Sequence, residues 1–183
     1  MTQSSQYVSR CLIESPGEAV NGAVKTVVCR AVDLSHVQPL SKFRGDDADD
    51  GKLCRDLFDE ATGYITSFHW CTSVTESYVA DCVGGIFALV LFHIEPTKSD
   101  VDEWIWVVVG DLPPAYIAPA SADPRDALGD YIEQMSKWVL AVNEGTSTDG
   151  LIPVNTPPTL ESAELLNSRL DFLKREILPF LGR

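Results

Sequence analysis

Basic side chains are scarce in this chain: 14 lysines and arginines stand against 27 aspartates and glutamates, for a formal charge of −13. Such a field repels phosphate backbones and anionic lipid headgroups, so neither nucleic acid nor a membrane surface is an expected partner. Long apolar runs are missing as well. The longest, residues 83–92, is too short to cross a bilayer, and no basic segment leads into an apolar run near residue 1, so signal-peptide secretion is not expected. Cysteines number five, an odd count without repeated close spacing, which suits reduced thiols and a cytoplasmic location. The standard chemical signatures are absent too: no phosphate loop, no dinucleotide-binding glycine pattern, no zinc-protease motif and no nucleophile elbow. No cofactor and no metal are expected.

What is present describes one ordinary globular unit. Apolar residues make up 45% of the 183 positions and charged residues 22%, which is enough to bury a core and excludes a chain disordered throughout. Residues 7–13 and 24–32 read as strands of an N-terminal arm, 1–48, which is expected to pack on a main domain, 49–183. Asp46, Asp47, Asp49 and Asp50 form an acid run without the ligand alternation or closing glutamate of a calcium loop. They suit a solvated turn at the positive end of a helix.

That helix follows from Leu53, Leu57, Ala61, Tyr64, Ile65 and Phe68, which recur at helical spacing over 50–68, with Gly63 as a point of weakness. Residues 74–82, 86–94 and 103–109 then read as three strands, joined by a Gly84-Gly85 turn and a polar connector, and suit an antiparallel meander. The middle strand is apolar on both sides and should be central. Asp123 and Pro124 open a second helix that Gly145 stops. Thr159 caps a third, with Ala163, Leu166, Leu170, Leu173 and Ile177 as its apolar stripe and Pro179 as its end. The fold class is therefore α+β, a small antiparallel β-meander sheet packed against two or three helices.

The most distinctive stretch runs from Asp102 to Tyr116, in which Trp104, Trp106 and four β-branched residues end abruptly at Gly110, Asp111, Leu112, Pro113 and Pro114. Together with Val83-Gly84-Gly85-Ile86-Phe87-Ala88, and with 151–155 through 169–173, it resembles a family of bacterial proteins with no assigned activity. The likeness covers about 53–178 and carries a DEWxWVVVGDLPPAY-type motif. It implies a bacterial, cytoplasmic, single-domain protein and transfers no catalytic residue.

Four residues stand out as a candidate polar site. Asp111 sits where a buried strand meets a rigid proline loop, a place from which a carboxylate can be held toward a cleft. Tyr116 would bring a phenol to the same end, and Asn155 lies in a second proline-braced loop; each also has an ordinary role in a turn or over the sheet edge. His69 joins them with Cys71, two residues on, as a thiol and imidazole on one side of an extended segment, with Glu60 or Asp81 as orienting acid. His69, Cys71, Cys82 and His93 lack the paired spacing of a zinc site. Strong acidity without catalytic signatures favours a non-enzymatic protein of immunity-like or adaptor type, which meets a protein partner, in particular a basic one, through its acidic surface. The alternative is a small enzyme with its site around Asp111. A homodimer formed through a sheet edge or the last helix is a third arrangement.

Overall fold

The computed structural model describes residue 32 and residues 34–98, 101–117 and 123–182. Five strands form one antiparallel sheet in the order β1-β2-β3-β4-β5: β1 Gln38–Pro39, β2 Cys71–Val83, β3 Phe87–Pro96, β4 Trp104–Gly110 and β5 Ala115–Ile117. Each strand pairs with the next in sequence, which is a meander. Among the described residues the sheet is joined by three α-helices: α1 Ala48–Thr66, α2 Pro124–Glu144 and α3 Leu160–Phe172. The α+β meander expected from the apolar pattern is therefore the architecture.

The helices cover both faces of the sheet. On one side Cys54, Leu57, Phe58, Ala61 and Ile65 of α1 pack with Val79, Ala88, Val90, Phe92, Ile105, Val107 and Val109. On the other, α2 and α3 bring Leu128, Tyr131, Met135, Trp138, Leu166 and Leu170 onto Phe87, Leu89, Leu91, Trp106 and Val108. Alternate residues of β3 and β4 thus enter opposite cores, as the two-residue period of a strand requires. Residues 87–92 are wholly buried, which fits the central strand read from the sequence. Val32 is also buried in the second core. The expected strand at 7–13, and that at 24–32 except for Val32, lie outside the described residues.

Local chemistry sets the element ends. Asp47 caps α1 by accepting from the amides of Asp49 and Asp50, 2.9 Å each. Gly63 does not break this helix. It faces open space, so it lowers helix propensity without removing a contact. Asp50 also reaches across to the Gly84 amide, 3.1 Å away, and ties the start of α1 to the β2–β3 turn. That approach needs glycine, because a Cβ at Gly84 would come within 2.5 Å of the Asp50 carboxylate. Asp123 caps α2, with Pro124 as its first residue, and Gly145 in the left-handed region ends it. Thr159 and Ser162 form a capping box on α3. After Phe172 the chain widens into a π turn over Leu173–Ile177, where the Leu178 amide donates to the Leu173 carbonyl at 2.9 Å.

Both sheet edges are blunted. One is the two-residue β1 with Pro39, which has no amide to offer a neighbouring chain. The other is the three-residue β5, whose Tyr116 lines a groove with Tyr64 of α1.

Candidate functional site

Gly110 ends β4 with φ +124, a conformation that side chains avoid. A Cβ there would lie 2.3 Å from the Ile86 carbonyl oxygen. The reversal lets the Asp111 amide donate to that same oxygen at 2.9 Å and sends the Asp111 side chain off the sheet. Pro113 and Pro114 then stiffen the corner before β5, and the buried Tyr131 of α2 donates its hydroxyl to the Pro113 carbonyl at 2.9 Å. Burial pushes the Tyr131 phenol up, so it stays a donor across the physiological range.

The partner of Asp111 is Arg169 of α3, 58 residues away. Arg169 donates through Nε to Oδ2 and through Nη2 to Oδ1, 2.9 Å each, and Nη2 also lies 2.7 Å from Oδ2. Its Nη1 also donates to the Leu165 carbonyl at 3.3 Å. The pair is open to water, with the Asp111 side chain 62% exposed and that of Arg169 36%. It forms the polar side of a cleft of about 340 Å³, whose other walls include Pro113, Val154, Asn155, Thr156, Leu165 and Leu166.

Of the four residues singled out from the sequence, Asp111 and Asn155 line this cleft. Tyr116 does not. It lies in β5 and lines a neighbouring groove of about 400 Å³ with Tyr64, Phe68, Ile152 and Pro153. There Phe68 and Trp70 stack at 5.0 Å between centroids, and both meet the Tyr116 ring edge-on. The loop after α2 serves both hollows, with Ile152 and Pro153 in the groove and Val154, Asn155 and Thr156 in the cleft. His69 is exposed in the turn before β2 and belongs to neither.

The thiol arrangement around His69 does not assemble. Cys71 is buried, and burial pushes its thiol up, away from the nucleophilic thiolate. Glu60 faces the Gly110 amide, where burial raises its carboxyl and the amide lowers it. Asp81 accepts from the Cys82 amide at 2.9 Å. Cys82 and Cys54 face one another as free thiols, each raised first by burial. His93 instead stacks on Trp104 at 4.5 Å, with the Thr75 hydroxyl 2.8 Å from Nδ1 and Glu103 3.5 Å from Nε2. Among the described residues no group of histidine, cysteine and carboxylate side chains is placed to hold a metal.

Arg169 is the site residue that composition and spacing did not single out. Its neighbours Leu166 and Leu170 mark it only as the flank of an amphipathic helix, and nothing local announces a partner in β4. A scan against protein-family models, a search of curated proteins and a search of solved structures each return no match to this chain. Among the described residues no helix is long and apolar enough to cross a membrane.

Proposed function

We propose that this chain is a non-enzymatic cytoplasmic protein of adaptor or immunity type that docks a basic protein partner on the exposed flank of α1 beside the β2–β3 turn. One observation carries the reading. Asp49, Leu53, Asp56 and Glu60 fall at i, i+4, i+7 and i+11 of α1, a single stripe, and all four are exposed. Leu53 is 44% exposed in the middle of it. Its side chain meets Gly84 and Gly85, and the next residue, Ile86, is again 44% exposed. Asp46, Asp47 and Asp59 extend the acidic surround.

An apolar centre inside a charged rim is the anatomy of a protein interface: the centre supplies affinity and the rim steers encounter. The blunted sheet edges favour a partner that lies on the α1 face over a second copy paired edge to edge. The enzyme alternative has weaker support, since Asp111 is engaged by Arg169 and only Asn155 of the other candidates shares its cleft.

The test is capture from a native lysate with three baits: the wild type, Asp56→Lys/Asp59→Lys on α1, and Asp130→Lys/Glu144→Lys on α2. Both variants move the net charge equally. A partner held by the wild type and the α2 variant, and lost by the α1 variant and at raised salt, is the expected result. Equal capture by all three baits would remove the reading.

A further inference from the structure

The cleft beside Asp111 has bonding capacity left over on both charges. A guanidinium carries five N–H donors. In Arg169 one on Nε and one on Nη2 go to Asp111, and one on Nη1 goes to the Leu165 carbonyl. One donor on Nη1 and one on Nη2 remain, with no partner among the described residues. Two N–H donors on adjacent nitrogens are enough to meet a second carboxylate. Asp111 likewise offers about four acceptor sites, and its three close contacts with Arg169, two at Oδ2 and one at Oδ1, leave room on Oδ1. A free anion-binding edge and a free cation-binding edge therefore stand side by side without the pair having to open.

Net charge decides which ligand suits them. At −13 the protein repels a net anion, and the Arg169 charge is already offset by Asp111. A ligand bearing both charges meets neither objection. The rest of the cleft sets apolar surface, with Leu165 53% exposed beside Leu166, Val154 and Pro113, next to the polar Asn155, Thr156 and Ser162. Its size, about 340 Å³, stands at the small end of ligand pockets.

We propose that this cleft binds a small zwitterion of the α-amino-acid type. Its carboxylate takes the free donors of Arg169, its ammonium takes the free side of Asp111, and an apolar side chain lies against Leu165, Leu166 and Val154.

The experiment is an amide-resolved NMR titration of the full chain with L-leucine. Parallel titrations use 4-methylpentanoate, which lacks the ammonium, leucinamide, which lacks the carboxylate, and glycine, which lacks the side chain. L-leucine should give saturable shifts confined to 110–112, 154–156 and 162–169, and each of the three analogues should bind about tenfold more weakly or worse. Asp111→Asn and Arg169→Lys should each abolish saturation while leaving the remaining spectrum in place, since both side chains are exposed. Arg169→Lys keeps the charge and loses the fork, so it separates bidentate recognition from simple attraction. No saturable shift with L-leucine would overturn the proposal, as would equal binding of any analogue or unchanged binding by either variant.

Discussion

Substituting Gly110 by alanine should do more damage than its single methyl suggests. At φ +124 the backbone is in a region that costs a non-glycine residue about 1–3 kcal/mol. The added Cβ would also sit 2.3 Å from the Ile86 carbonyl oxygen, 2.8 Å from its carbon and 2.9 Å from the Phe87 Cα. All three are backbone atoms at the start of the central strand, so no flexible side chain can swing aside. Relieving the clash requires the end of β4 to move away from β3, which lengthens the Asp111 amide bond to the same carbonyl. Together these terms give about 3 kcal/mol or more, and for a domain of this size a loss of about 6–12 °C in Tm. Urea unfolding followed by far-ultraviolet circular dichroism measures it. Gly63→Ala is the internal control: it lies in α1 facing open space, and should stabilise by about 1 kcal/mol. A Gly110→Ala protein within about 1 kcal/mol of the wild type would refute the strained corner, and with it the account of how Asp111 is aimed.

Leu170→Ala should cost about 2–5 kcal/mol in urea unfolding, because Leu170 is fully buried between α3 and the sheet; a loss under about 1 kcal/mol would show that the core is packed otherwise. Asp47→Ala removes a side chain that satisfies two amides of α1 and should cost about 1 kcal/mol, with Asp47→Asn close to wild type. Asp81 follows pH, since burial holds its carboxyl above the ordinary value of 3.8 while the Cys82 amide draws it back. The folded state thus holds this proton more tightly than the unfolded state. The stability it contributes is complete below about pH 3.8 and is lost as pH rises through the folded value. Asp81→Asn should therefore gain on the wild type between pH 4 and 7 in a denaturation series; a constant difference across that range would contradict this. In a Cys11→Ser/Cys29→Ser background, the thiols of Cys54, Cys71 and Cys82, all raised first by burial, should react with a disulfide reagent at pH 8 only after unfolding.

The elements with a strong local signature were legible in the sequence. The stripe from Ala163 to Ile177 is buried along its whole length, and the caps at Asp123, Gly145 and Thr159 fall where their chemistry places them. β3 announced itself through two apolar faces. What escaped depends on pairing over long distances. β1 and β5 have two and three residues, too few for any period, and exist because β2 and β4 offer them edges. β2 runs longer than the expected 74–82 because its bulges shift the alternation from which a strand is read. The division of the helices between the two faces was hidden for the same reason, since an apolar stripe does not say which side of a sheet it meets. At the candidate site, Asp111 and Asn155 carried a local hint in their proline loops. Arg169 carried none, because its role arises only when α3 crosses the end of β4.

The comparison that bears most directly on the proposed docking face is quantitative capture at low and raised salt with wild-type, α1-reversed and α2-reversed protein. The account predicts one protein retained by the wild type and the α2-reversed bait at low salt, lost on Asp56→Lys/Asp59→Lys, and weakened for every bait as salt rises. Equal capture by both reversed baits, or capture indifferent to salt, would contradict it.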